Sequence, residues 1–253
     1  MDFAAFDVTD LLLFIGAGFI AQLIDGALGM AFGVISTTLL ISLGVPPAAA
    51  SAGVHTVETF TTAVSAGSHV AHRNVEWKLF FRLAIPGIIG GVIGAYVLSN
   101  IDAGTVKPFV LAYLATIGVY LVYRAIRYPP QHKPARFVEP LGLVGGFLDA
   151  AGGGGWGPVV TGNLLIQGAD PRRTIGTVNT VEFFLTASIS AAFITTLGWQ
   201  AFTVATLGLL IGGVAAAPFA AVVARRARPR VLLALVGSVL TLTGIYGIAA
   251  AII

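Results

Sequence analysis

Six apolar stretches recur along the chain: residues 47–70, 79–98, 106–122, 173–197, 202–224 and 231–253. Each is about as long as the roughly 20 residues a helix needs to cross a bilayer core of about 30 Å, with 106–122 the shortest. Two further apolar regions, 11–43 and 141–166, are broken midway by glycines, at 27–33 and 152–157. Each of these predicts one long interrupted crossing or two short half-helices folded as a hairpin.

Composition turns those runs into a class. Hydrophobic residues make up 57% of the 253 positions and charged residues only 10%, against about 25% charged in a soluble globular domain. Such a chain cannot cover a water-facing surface, which excludes a soluble enzyme, a nucleic-acid binder and a secreted scaffold. It is expected to be an all-α, polytopic membrane protein. There is no cysteine, so disulfides, thiolate metal sites and cysteine nucleophiles are excluded. Residues 1–10 hold three aspartates and no lysine or arginine; without a basic n-region this segment is expected to be retained rather than cleaved as a signal.

Charge placement chooses between the two topologies, because lysine and arginine concentrate in cytoplasmic loops. If both broken regions are hairpins, thirteen of the fourteen basic residues share one face and Lys107 alone lies opposite, with both termini. If each region crosses once, the split is seven to seven. The hairpin arrangement is the expectation, with both termini on the non-cytoplasmic side of an inner membrane. Two short complete crossings per region would give the same parity. The basic pI near 9.4 then records topology rather than nucleic-acid binding.

The chain also repeats itself. Val54-His55-Thr56-Val57-Glu58 returns 124 residues later as Val178-Asn179-Thr180-Val181-Glu182. At the same offset Asp25 meets Asp149 and Thr37 meets Thr161; after a two-residue slip, residues 89–92 and 211–214 both read Ile-Gly-Gly-Val. Repeat 1 spans about 1–127, a linker about 128–137, and repeat 2 about 138–253. Each is expected to be a glycine-broken hairpin followed by three transmembrane helices. Under the hairpin topology the halves are inverted, as in many secondary transporters, whose substrate sites lie where helices are discontinuous near the midplane.

The chemistry sits in those same segments. Asp25, Glu58, Asp149 and Glu182 lie in apolar sequence, where an ionised acid costs about 2.5–3.5 kcal/mol on insertion scales. The aspartates read either as caps of a broken helix end or as functional acids. The glutamates read as proton carriers, since a proton taken up with the substrate neutralises a charge that the bilayer penalises. Gly153, Gly154, Gly155 and Gly29 belong to breaks that can unwind and present amides to an anion. Gly90, Gly91, Gly212 and Gly213 read as close helix packing. No lysine or arginine falls inside a span except near an interface. Thr56, Thr180, Asn179 and His55 are therefore the polar candidates to hold substrate. His69 and His72, beside Arg73, read as solvated boundary residues. The residues suggest no metal site and no cofactor, and no Gly-x4-Gly-Lys-Ser/Thr element for ATP is present.

The run Asp149-Ala-Ala-Gly-Gly-Gly-Gly-Trp-Gly-Pro158 resembles the glycine-run-then-proline element of the sulfite exporter TauE/SafE family of membrane transporters, and the resemblance extends over essentially the whole chain. The first half departs from it, since residues 25–33 lack both the uninterrupted run and the proline. The resemblance implies a non-enzymatic secondary transporter for a small sulfur-containing anion, sulfite or an organosulfonate, proton-coupled with alternating access. Protons and the bilayer are its implied partners, and a homodimer is compatible with it. Two rivals stand beside that reading: a passive anion channel, and an intramembrane aspartyl hydrolase built on Asp25 and Asp149.

Overall fold

The structure, a computed structural model, describes residues 8–42, 45–99, 115–116, 118–123, 125–126, 135–152, 154–197 and 204–252. Among them there are helices and connections and no strand. In chain order they are α1 (Val8–Leu28), α2 (Phe32–Ser42), α3 (Pro47–Ala71), α4 (Trp77–Leu98) and α5 (Val138–Gly152). A π-helical turn, Gly157–Thr161, then runs into α6 (Gly162–Gln167), followed by α7 (Pro171–Leu197), α8 (Val204–Arg226) and α9 (Pro229–Ile252). Residues 118–123 are also helical. Residues 106–114 and 117 of the expected 106–122 crossing, most of the linker, and Lys107, Arg124, Arg127 and Lys133 lie outside the described residues.

The helix ends follow local chemistry. α3 opens on Pro47, whose missing N–H is no loss in the first turn. The carboxylate of Asp170 accepts the Arg173 amide at 2.9 Å and so starts α7. α6 stops at Gly168, left-handed at φ 97°.

Both broken regions fold back. In the second, the Arg136 amide just before α5 donates to Gln167 Oε1 at the end of α6, at 2.6 Å, so the chain returns to the end it left. At 15 residues, α5 is about 22 Å long, short of a bilayer core of about 30 Å. In the first, Leu40 near the end of α2 shares an apolar cluster with Phe14 near the start of α1. The arms of this hairpin are unequal, 21 residues against 11. α1 is thus no short half-helix. Its residues Leu11–Leu28 are long and apolar enough to cross a membrane, as are Trp77–Leu98, Pro171–Leu197 and Ala205–Arg226. α3 falls short of that hydropathy although it has 25 residues, because it carries His55, Glu58, His69 and a series of serines and threonines.

Contacts between helices are reciprocal when the halves are exchanged. α1 lies along α8 and α5 lies along α4, while α3 crosses α7 and also meets α8, as α7 meets α4. α1 and α8 run the same way, with Gly208 beside Phe14 and Gly26 beside Ala220. The repeat-equivalent helices α3 and α7 run oppositely: Thr59 meets Ser190 at 3.3 Å, Thr62 meets Thr186 at 3.5 Å and Ser65 meets Asn179 at 3.0 Å. Helical residues 118–123 pair with α9, where Gly118 faces Gly237 and Leu121 joins Leu232, Val236 and Leu240 in the core.

One end of the bundle gathers the loops. The Glu76 amide donates to Thr177 Oγ1 at 2.8 Å, and Asn74 Nδ2 donates to the Ala221 carbonyl at 3.4 Å. Arg82 and Glu139 make a two-pronged pair there, at 2.5 and 3.0 Å, clipping the starts of α4 and α5 together. Being exposed, such a pair is screened by solvent and adds little to stability.

Candidate functional site

Each glycine break is closed by the aspartate that precedes it. Asp149 Oδ1 accepts the amides of Gly155 and Trp156, at 2.7 and 2.9 Å. The Asp149 carbonyl takes the Gly154 amide at 3.0 Å. In the first half Asp25 Oδ1 faces the amide of Phe32 at 3.4 Å. Phe32 is the repeat counterpart of Trp156, so both halves place a carboxylate on the amide seven residues on, where a fresh helix begins. Both aromatic side chains are fully buried. Trp156 Nε1 donates to the Val178 carbonyl at 3.2 Å, pinning the second break to α7.

The two breaks touch. Thr161 Oγ1 donates to the Gly29 carbonyl at 2.9 Å, Gly157 lies against Gly29 and Met30, and Gly154 lies against Gly33 and Val34. Gly29 turns at φ 72° and Gly154 at φ 131°, while Ala31 holds φ 106° despite its Cβ.

α3 and α7 bring their polar turns to this junction. His55, Glu58, Asn179 and Glu182 are all buried, as are Asp25 and Asp149. His55 Nε2 lies 3.1 Å from Asp149 Oδ2, and its Nδ1 lies 2.7 Å from the Ser51 carbonyl. The Glu58 carboxyl accepts the Gly33 amide, and Thr62 donates to the Glu58 carbonyl. The four acids lie within electrostatic reach of one another, and His55 within reach of Asp149 and Glu58. Asp25 Oδ2, Glu58 Oε2 and Glu182 Oε2 are buried without a hydrogen-bond partner among the described residues. An ionised carboxylate in that position is costly unless something neutralises or binds it.

Thr56 and Thr180 donate to carbonyls of their own helices, Ala52 at 2.8 Å and Gly176 at 2.7 Å, as helical threonines commonly do. Asn179 accepts from Ser65 and donates to the Ile175 carbonyl at 3.1 Å and the Asp25 carbonyl at 3.5 Å; it joins α1, α3 and α7. The amides of Gly154 and Gly155 are taken by Asp149, and Gly153 lies outside the described residues. Asp25 and Asp149 are each bonded to their own break, and no hydrogen bond joins the two carboxyls.

His69 departs from its expected place. It is fully buried on α3, with Nε2 2.8 Å from the Gly26 carbonyl and Nδ1 3.1 Å from Asn74 Nδ2. It braces the end of α1 where helical bonding stops. Gln22 and Ser36, both buried with polar atoms that have no partner among the described residues, were not singled out by the repeat, whose second half has Gly146 and Val160 there. A signal existed for Gln22, one helical turn before Asp25 on the same face.

Comparison with known proteins agrees with this architecture. The chain is 42% identical over 241 residues to the "Probable membrane transporter protein YtnM" of Bacillus subtilis (strain 168), an overlap covering 92% of this chain and 80% of that protein. No solved structure matches it. The family model for the sulfite exporter TauE/SafE matches residues 14–247. The all-helical chain, with its two glycine breaks and buried acids, belongs to the sulfite exporter TauE/SafE family of membrane transporters.

Proposed function

We propose that the protein is a secondary transporter that moves a small sulfur-containing anion, sulfite or an organosulfonate, across the inner membrane with proton coupling and alternating access. One observation carries the reading. Two repeat-related pairs of acids, Asp25 with Glu58 and Asp149 with Glu182, converge where two broken helices abut, with no lysine or arginine beside them among the described residues. An anion entering such a site meets four carboxyls, so its approach is favoured when they carry protons. That links anion and proton movement through one electrostatic balance. The opposed directions of α3 and α7 support an inverted-repeat arrangement, in which the substrate site lies at the repeat interface.

The test is flux in reconstituted vesicles. Sulfite or sulfonate uptake should saturate and respond to an imposed pH gradient, and Glu58→Gln or Glu182→Gln should weaken that response. If both variants leave coupled flux unchanged, the proton role of the glutamates is wrong. Flux that never saturates and never runs against the anion's own gradient would instead identify a passive channel. A thermal-shift screen of sulfite, sulfate, thiosulfate and sulfonates on the purified protein identifies the anion.

A further inference from the structure

His55 and Asp149 tie the second glycine break to α3 through a contact that needs a proton. His55 Nδ1 lies 2.7 Å from the Ser51 carbonyl oxygen, which can only accept, so Nδ1 carries a hydrogen and donates it. A neutral ring in that tautomer shows a lone pair at Nε2, and a carboxylate shows only lone pairs. The 3.1 Å contact between Nε2 and Asp149 Oδ2 is therefore attractive only when one further proton sits on it. That proton rides on nitrogen as an ion pair, or on oxygen as an acid–imidazole hydrogen bond.

Neither partner is free to swing away. Asp149 Oδ1 is held by the amides of Gly155 and Trp156, and the ring by Ser51. Ser51 Oγ adds a second tie between α3 and the end of α5, donating to the Ala150 carbonyl at 3.1 Å. That tie does not titrate. The other half has Asn179 where this one has His55, and its bonds to Ser65, Ile175 and Asp25 are made by amide, hydroxyl and carbonyl groups. Of the two breaks, the second alone is joined to a neighbouring helix through an imidazole and a carboxyl among the described residues.

We infer that the His55–Asp149 pair is a proton-operated latch that holds the second glycine break against α3 and releases it when the proton leaves. With the proton in place the contact is closed. When the proton passes to water, lone pairs face each other across the contact, and the break is pushed from α3. Only an N–H or O–H bond is exchanged, and the proton goes to solvent. Glu58 on α3, Asp25 on α1 and Glu182 on α7 lie within electrostatic reach of the pair and set the pH at which it opens. The Phe193 ring on α7, centred 6.2 Å from the imidazole, walls it on that side, and α2 contributes no titratable group. In transport, which rests on the reading above, the latch would make the contact between the second break and α3 respond to protons.

Trp156 reports on the latch directly, because it ends the break. The chain has three tryptophans, so a Trp77→Phe, Trp199→Phe parent keeps Trp156 as its only indole. Its emission in the purified protein should change with pH in one sigmoidal step. Asp149→Asn, whose amide can donate to Nε2 without titrating, should hold the low-pH emission throughout. His55→Asn should remove the step, and Ser51→Ala should retain it. Absence of the step in the parent, or its survival in either His55→Asn or Asp149→Asn, overturns the latch; should one variant fail to fold, the other decides. Vesicle flux separates the two readings. A titrating Trp156 without proton-coupled flux sinks the transport reading and supports the latch, whereas coupled flux that survives Asp149→Asn removes the latch from the coupling.

Discussion

Ala31 sits in the first break with a φ of 106°, a region that glycine adopts freely and alanine enters at a cost of order 1–3 kcal/mol. The buried junction around it imposes that angle. Ala31→Gly should therefore raise the thermal midpoint of the purified protein, with the gain trimmed by the roughly 0.5–1 kcal/mol of extra freedom that glycine has when unfolded. In the other break Gly154→Ala should do the reverse by about 2 kcal/mol or more, since its Cβ would land on the Gly33–Val34 backbone at φ 131°. Thermal denaturation of both variants checks the pair; equal midpoints would mean that neither angle is enforced. The same scale shows what the sequence could announce. Asp25, Glu58, Asp149 and Glu182 stood out because an acid in an apolar run is rare, and each matched a partner 124 residues away. The hydroxyls of Thr56 and Thr180 were equally conspicuous, yet each turns to its own helix, a choice of rotamer that composition does not encode. His69 sits three residues before a loop and looked wet; only the unbonded Gly26 carbonyl, which exists because α1 breaks, explains its burial.

Among the elements, the two closest helix pairs depend on glycine. A Cβ on Gly212 of α8 would run into the Ile15 carbonyl of α1, and one on Gly90 of α4 into the Leu143 carbonyl of α5. Their neighbours turn to a second helix, Gly213 toward Thr61 of α3 and Gly91 toward Leu185 and Ile189 of α7. Each Gly-Gly pair thus seats one helix against two. Without a hydrophobic drive between helices in lipid, such contact depends on close van der Waals packing. Gly90→Val and Gly212→Val should each abolish a monodisperse, folded protein. Gly16→Ala, where nothing lies within 4 Å, should be neutral or stabilising by about 0.5–1 kcal/mol because alanine favours helix. Size-exclusion profiles and melting curves of the three variants test this, and a well-folded Gly90→Val would show that α4 and α5 do not pack this closely. The Ile-Gly-Gly-Val repeat made the packing legible. The unequal hairpin arms were not, since a glycine cluster marks a break but not how far the helix before it extends.

Across the whole molecule, reciprocal contacts and one-sided charge support the same topology. Arg73, Lys78 at the start of α4, Arg136, and Arg172 and Arg173 at the start of α7 lie on segments joined by the Glu76–Thr177 and Arg136–Gln167 bonds, which places residues 75 and 169 at one end of the bundle. Between them the chain passes through α4, the stretch from 100 to 134 and the second hairpin. If that hairpin returns to its own side, both positions face the cytoplasm, where a concentration of basic residues belongs. With residues 100–134 counted as the single crossing expected from the sequence, a crossing hairpin would put them on opposite faces, against the hydrogen bonds that join these segments. The chain has no cysteine, so Val75→Cys and Ala169→Cys each introduce a single thiol into an unmodified background. Neither should react with a membrane-impermeant maleimide in intact cells, and both should react in inside-out vesicles. Labelling of one but not the other from the same side would break the hairpin topology, and with it the inverted repeat on which the transport reading stands. Labelling of both from outside would keep the fold and reverse its orientation, moving the basic end away from the cytoplasm and leaving the charge distribution without its physical cause.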